Sequence, residues 1–177
     1  MNTTATLTST PTIEHPLLNF TNTPGTYLTG LVALNLSAPE GTAGDWHRIG
    51  IFYPGNEQTL RDFQSGGTLF PSTKDLFEND GIYECSRQIK QEYGLETTGH
   101  AYAANHFRAI IDLVITCYKN GETPAPVPFI DYISTKKHQK IFINFLNKRA
   151  ENFPKELRNA FASWLKNNKR IEKLKWS

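Results

Sequence analysis

The chain has 177 residues, of which 20% are charged and 12% aromatic, and its formal net charge is +2. This length predicts one globular domain that buries about 70% of its unfolded surface on folding. No run of about 18 apolar residues occurs, which excludes a membrane-spanning helix, and the Thr-rich start from Met1 to Pro11 lacks the basic and apolar segments of a secretory signal.

Two cysteines, Cys85 and Cys117, each lie in an apolar periodic segment of the chain. Buried thiols in a chain without a secretory signal are typical of a reducing compartment. We therefore predict a cytoplasmic protein with free cysteines and no membrane partner. A disulfide between the two cysteines is the less favoured alternative.

The charge is divided unevenly along the chain. Residues 134–177 contain twelve Lys or Arg and three acids, whereas residues 1–133 contain seven basic and fourteen acidic residues. This split is typical of a basic part that meets an anionic partner, of one that folds back on an acidic face of its own chain, or of a well-solvated helical face.

The first 25 residues are Thr-rich and interrupted by prolines, which predicts a flexible or loosely docked arm. A single globular domain is expected over residues 26–177. It is acidic over residues 26–133, and basic and helical over residues 134–177.

Two elements are predicted early in this domain. Trp46 to Tyr53 carries apolar side chains at alternate positions, which is the period of a strand with one buried face, and predicts a short strand. The stretch from Pro54 to Thr73 is interrupted by Gly and Pro and predicts a long surface loop.

A helix is predicted from Asn79 or Asp80, since either residue could cap it. Its apolar residues lie on one face at helical spacing: Ile82, Cys85, Ile89 and Tyr93. Gly94 supplies the left-handed backbone that commonly ends a helix.

The most apolar helix is predicted from Tyr102 to Tyr118. Its wide buried stripe consists of Ala103, Phe107, Ile110, Ile111, Val114 and Tyr118. Asn105, Arg108 and Asp112 share the opposite face, where the i,i+4 spacing of Arg108 and Asp112 predicts a weak ion pair.

Two basic helices are predicted at the C-terminal end. Ser134 could cap the first, which is expected to bury Ile141, Phe142, Phe145 and Leu146. The second starts at Pro154, because proline suits the first turn of a helix. Its apolar residues are Leu157, Ala160, Phe161, Trp164, Ile171 and Leu174. The opposite side carries Lys166, Lys169, Arg170 and Lys173, which we call the C-terminal basic stripe.

Together these elements predict a predominantly helical α+β fold. A small N-terminal strand and loop region is followed by four helices, of which the last two are basic.

Asp45, His47 and His106 are ligand types that a zinc site or a hydrolytic enzyme uses. Their spacing matches no compact metal motif, since the chain has neither H-E-x-x-H nor paired C-x-x-C. A lone histidine beside an apolar stripe is more often a hydrogen-bonded packing residue, and Cys85 on an apolar face favours an inert thiol. We therefore predict no catalytic residue, no metal and no cofactor, with a metal-dependent enzyme that uses Asp45, His47 and His106 as an alternative.

Six polar or aromatic residues are predicted to be architectural or to serve recognition, joined in one polar network. They are Asp45, Trp46, His47, Asn105, His106 and Arg108. Such groups are costly to bury unless they are hydrogen-bonded, and this set lacks a nucleophile with a base and an orienting group.

Three motifs, in chain order, carry a resemblance to a known family. They are Gly44-Asp45-Trp46-His47, preceded by the stretch 31–36, then Gly81-Ile82-Tyr83-Glu84-Cys85-Ser86, then Ala104-Asn105-His106-Phe107-Arg108-Ala109-Ile110. They resemble small bacterial proteins that are encoded beside nucleotidyltransferase-like toxins of the abortive-infection type and are regarded as antitoxins. The similarity spans roughly residues 28–118, with a looser match of the last two helices.

The resemblance implies a phage-defence antitoxin that binds and neutralises a cytoplasmic nucleotidyltransferase toxin. A nucleotidyltransferase cleft is acidic at its metal site, so the partner-binding candidates are Lys166, Lys169, Arg170 and Lys173. The acidic N-terminal part could instead meet the toxin's nucleic-acid-binding surface. A nucleic-acid-binding regulator that uses the basic C-terminal helices is the alternative that the residues leave open.

Overall fold

The structure is a computed structural model that describes residues 16–44, 50–124 and 132–168. Within these ranges the chain forms short strands and longer helices, so the predicted α+β, predominantly helical fold is confirmed. None of the helices in the described ranges combines the length and apolar character that a membrane span requires.

The elements follow one another closely in the described chain. The strands are β1 (Leu17–Leu18), β2 (Ile82–Glu84), β3 (Glu96–Thr97) and β4 (Tyr102–Ala104). The helices are α1 (Gly30–Ala33), α2 (Glu57–Asp62), α3 (Lys74–Phe77), α4 (Ser86–Tyr93), α5 (His106–Lys119), α6 (Lys136–Arg149) and α7 (Lys155–Asn167). A 3-10 turn, Ala150–Asn152, joins α6 to α7.

Strand pairing corrects the predicted starts of two helices. Instead of opening helices at Asn79 and Tyr102, the chain first forms β2 and β4, which pair antiparallel with Glu84 opposite Tyr102. Leu28 adds a third segment, since its backbone N–H donates to Tyr102 O and its carbonyl accepts from Ala104 N–H. Helical periodicity cannot reveal these bonds because they join residues far apart in the chain.

Helix α4 ends as predicted. Gly94 adopts a left-handed conformation with φ of 66°, and its N–H donates to Lys90 O. The helix begins at Ser86, so it is shorter than the apolar pattern predicted.

Helix α5 lies at the centre of the core. All seven residues from His106 to Asp112 are buried, and the helix packs against α1 and α7. Asn105 caps its N-terminus, because the side-chain oxygen accepts a hydrogen bond from Arg108 N–H at 2.9 Å. The Phe107 ring meets Phe142 of α6 edge-on, which joins the two helices.

The region before α3 contradicts two predictions. Gly50 to Phe52 forms a 3-10 turn in place of the end of the predicted strand, and residues 45–49 lie outside the described ranges. Phe52 is fully buried and stacks on Tyr93 at 4.7 Å between ring centroids. The predicted loop after it contains α2, whose Leu60 is buried. A single side chain anchors each segment, which is too little to give a recognisable period.

Helix α6 differs from the prediction in its cap and in its buried face, whereas α7 buries Leu157, Phe161 and Trp164 as predicted. Thr135, and not Ser134, caps α6 by accepting from His138 N–H. The buried face of α6 consists of Phe142, Ile143 and Leu146, so Ile141 is 40% exposed instead of buried. Helix α7 buries Leu157, Phe161, Trp164 and Leu165; Ile171 and Leu174 lie outside the described ranges.

Gly30 provides a test of how closely α1 approaches its neighbours. It has φ of +57°, and a Cβ atom there would lie 2.2 Å from Cζ of the buried Phe70 ring. Gly41 also has positive φ, at +86°, but a Cβ atom there would meet nothing within 4 Å. We expect Gly41→Ala to cost about 1–2 kcal/mol of backbone strain. Gly30→Ala should cost about 1–3 kcal/mol more, from overpacking.

Urea unfolding of the two variants measures this difference. Equal losses of unfolding free energy in Gly30→Ala and Gly41→Ala would show that Phe70 does not restrict this position.

Candidate functional site

Arg108 and Asp112 form a buried ion pair within α5. Arg108 Nε donates to Asp112 Oδ1 at 3.1 Å, and the two side chains are 0% and 2% exposed. The spacing was predicted correctly, but the expected weak pair on a polar face was wrong. Every residue of the first two turns of α5 is enclosed, so no polar face exists there.

Hydroxyl groups from distant segments complete this pair, and together we call the set the Arg108 network. Asp112 accepts hydrogen bonds from Tyr27, Thr29 and Thr73 at 2.7–2.9 Å. Arg108 Nη2 donates to Tyr27 Oη at 2.8 Å and to Thr73 Oγ1 at 2.7 Å. Its Nη1 donates to Asp80 O at 3.0 Å, and the guanidinium lies over the Phe77 ring.

The network compensates both charges inside the core. Burial, followed by the negative charge of Asp112, raises the pKa of Tyr27 to about 12, so this hydroxyl stays protonated and continues to donate. A buried charge is tolerated only when such partners surround it. The arrangement therefore holds α5 to the Tyr27–Thr29 segment and to α3, which Thr73 precedes.

His106 lies in a second buried polar cluster, apart from the Arg108 guanidinium. Its Nε2 lies 2.7 Å from Leu36 O, so we assign the proton to Nε2, which donates to this carbonyl. Burial lowers the pKa of His106 to about 4, while the Leu36 bond acts in the opposite direction. The imidazole is therefore neutral near pH 7, and Tyr132 packs against it edge-on.

Glu40 reaches the N-terminus of α5 from the turn after α1. Its Oε1 accepts from His106 N–H at 3.0 Å, and burial raises the pKa of this carboxyl above its ordinary value. A carboxylate at this position interacts favourably with the helix dipole. Sequence reasoning missed Glu40, because the turn that contains it gives no signal of the helix end it meets.

The predicted six-residue network is only partly described. Asn105, His106 and Arg108 lie close together in the chain, but their side chains have different partners. The Asn105 side chain accepts from Arg108 N–H, and His106 Nε2 donates to Leu36 O. The Arg108 side chain belongs to the Arg108 network. The structure thus places them in separate arrangements around the start of α5. Asp45, Trp46 and His47 lie outside the described ranges.

In the part of the chain that the structure describes, no site for cysteine or metal chemistry is assembled. Burial raises the pKa of the fully buried Cys85 thiol, and both Cys85 and Cys117 are free. The described residues contain no group of three or more His, Cys, Asp or Glu side chains that could hold a metal ion. An open depression beside α4 contains Lys90, whose ammonium is already paired with Glu96.

Several exposed basic residues lie on the last two helices. Lys166 is exposed on α7, whereas Lys169, Arg170 and Lys173 of the C-terminal basic stripe lie outside the described ranges. Helix α6 exposes a second set, which we call the α6 basic face: Lys137, Lys140, Ile141, Asn144 and Lys148. Sequence reasoning missed this face, although lysines at i, i+3 and i+11 on one helix could have revealed it.

Comparison of the chain with protein-family models, with curated proteins and with solved structures finds no match.

The Arg108 network generates a stability prediction. We expect Asp112→Leu to destabilise the protein by about 3–5 kcal/mol, because it leaves a buried guanidinium without its counter-charge. Adding Arg108→Met should recover part of this loss, since the uncompensated charge is then removed. Chemical denaturation of both single variants and the double variant measures the coupling.

The exposed Lys90–Glu96 pair is the matched control. Its side chains are 50% and 48% exposed, so Lys90→Gln and Glu96→Gln should each change the unfolding free energy by about 1 kcal/mol or less. A double variant at Arg108 and Asp112 that loses the sum of its single-variant losses would contradict coupling within the network.

His106 generates a pH prediction. Its folded-state pKa of about 4 lies below the ordinary 6.5, so the unfolded chain binds the proton first as pH falls. The contribution of His106 to the free energy of unfolding is therefore complete above pH 6.5. Between pH 6.5 and about 4 this contribution is lost, which lowers the free energy of unfolding by about 3 kcal/mol. His106→Gln retains a donor for Leu36 O and should lack this loss.

Urea unfolding at several pH values measures the effect. His100→Gln, a substitution at an exposed histidine, is the matched control. A His106→Gln profile parallel to wild type would contradict the assignment. The raised pKa of Glu40 acts in the opposite direction in both proteins and does not affect their difference.

Proposed function

We propose that this protein is an antitoxin-like protein that binds and neutralises a nucleotidyltransferase-type toxin in the cytoplasm. The proposal starts from the three motifs, which occur in one order along the chain and resemble those of antitoxins encoded beside such toxins. On this proposal the protein acts by association and carries no catalytic group of its own.

The observation that best supports a binding role is the use of the ionisable groups in the third motif. His106 and Arg108 are both 0% exposed and are bound to atoms of the chain itself. A general base or an electrophile must reach its substrate. These two side chains hold α5 in the core, so their hydrogen bonds stabilise the fold.

The exposed charge of the C-terminal helices supports an acidic partner. Residues 134–177 contain twelve basic and three acidic residues, and Lys137, Lys140 and Lys166 are exposed. Complementary charge increases the rate of encounter and suppresses wrong partners. An acidic cleft or patch of a nucleotidyltransferase would meet both requirements.

The same lysines favour nucleic acid as the second candidate partner. Phosphate binding is driven by release of counterions and needs a basic surface more than it needs a particular fold. A regulator that binds DNA or RNA would use the same C-terminal helices, and both activities could occur in one protein.

Co-expression with a nucleotidyltransferase-type toxin tests the proposal. We expect the two products to elute as one stoichiometric complex in size exclusion, and growth to be rescued from the toxin. Substituting Lys166, Lys169, Arg170 and Lys173 by Gln should weaken the complex and flatten its salt dependence, because exposed charges guide association. Folding should change little, since exposed pairs contribute about 0–1 kcal/mol.

Binding of the four-Gln variant must be measured separately with toxin, DNA and RNA. Separate elution of the pair together with unrescued growth would refute the antitoxin proposal. A variant that binds each partner as tightly as wild type does would show that the C-terminal basic stripe is only a solvated surface.

A further inference from the structure

The α6 basic face is a coherent exposed strip of the protein. Its members, Lys137, Lys140, Ile141, Asn144 and Lys148, are all exposed, and at 100° per residue they project within one third of the helix circumference. Phe142 and Leu146, which are 0% exposed, project to the opposite side. The strip is about 16 Å long, at 1.5 Å per residue.

The orientation of this strip is fixed by contacts on the other sides of α6. Arg149 Nε donates to Asp80 Oδ2 at 2.9 Å, which ties the end of the helix to the turn before β2. Phe107 and Trp164 pack against Phe142 from α5 and α7. A partner would therefore meet a pre-organised surface, which lowers the entropy lost on binding.

The charges of the strip are available to a partner. Within the described ranges, Lys148 Nζ lies 3.5 Å from Asp80 Oδ2, and its side chain remains 69% exposed. Lys137 and Lys140 form no ion pair with another described residue. No acidic side chain lies on the strip itself.

Ile141 indicates which kind of partner fits the strip. It is 40% exposed, and lysines lie on both sides of it along the helix. An apolar centre with a polar rim is the usual arrangement of a protein–protein interface. A phosphate backbone offers no apolar surface for an isoleucine, so the strip fits an acidic protein surface better than it fits nucleic acid.

We propose that the α6 basic face is a docking surface for an acidic surface of a partner protein, with Ile141 seated in an apolar recess of that partner. This inference rests on the proposed function insofar as the partner is the nucleotidyltransferase toxin. The α6 basic face consists of different residues from the C-terminal basic stripe and lies on a different helix from Lys166. It also has an apolar residue, Ile141, at its centre.

Two pairs of matched variants test the proposal against the toxin. Lys137→Glu, Lys140→Glu and Lys148→Glu together reverse the charge of the strip. Lys74→Glu, Arg87→Glu and Lys119→Glu make the same net change at exposed positions elsewhere. Ile141→Ala is paired with Leu69→Ala, since Leu69 is 47% exposed outside the strip.

Calorimetric titration of the toxin into each variant provides the measurement, after melting curves have shown that each is folded. We expect the strip reversal to weaken binding by at least about tenfold and Ile141→Ala by about fivefold or more. The two control variants should bind as wild type does. Toxin binding that neither strip variant weakens would overturn the docking surface while leaving the antitoxin function intact.

A second experiment tests the docking surface if the wild-type protein does not bind the toxin. That lack of binding would refute the proposed function. Poly-glutamate and a single-stranded RNA of equal charge are then titrated into labelled protein and followed by NMR. Amide shifts along α6 with poly-glutamate, at lower concentration than with RNA, would support the acidic-protein surface. Tighter RNA binding at α6 would overturn it in favour of nucleic acid.

Discussion

The ion pair between Arg108 and Asp112 is the constraint on which much of the structure depends. Two opposite charges lie in the first two turns of α5, which are enclosed on every side, and removing them from water costs several kcal/mol for each ion. The core tolerates them only because Tyr27, Thr29 and Thr73 bring hydroxyl groups to the carboxylate from distant segments. The position of the N-terminal segments therefore follows from the need to compensate two charges.

The start of α5 also contains buried polar groups that need hydrogen-bond partners. Its first backbone N–H groups have no partners within the helix, and here the Asn105 side chain and the Glu40 carboxylate satisfy two of them. His106 is held neutral by burial and bonds to Leu36 O. The polar residues of this motif are thus directed inwards, whereas the lysines of the last two helices include exposed charges.

The position of each charge decides what it can do. Arg108 is buried, and each of its three guanidinium nitrogens donates to an atom of the chain itself, so it stabilises and does not recognise. The lysines of the α6 basic face are exposed, so they add little to stability but can guide an encounter. Helix α6 buries the side that carries Phe142, Ile143 and Leu146. Ile141 lies on another side of the same helix, so it stays on the surface.

The sequence by itself determined the predominantly helical α+β class, the end of α4 at Gly94 and the i,i+4 spacing of Arg108 and Asp112. These features depend on residues within a few positions of one another. Only the tertiary structure decided that β2 and β4 pair, that the ion pair is buried and that Ile141 is exposed. Each of these depends on contacts between segments far apart in the chain, which local periodicity does not encode.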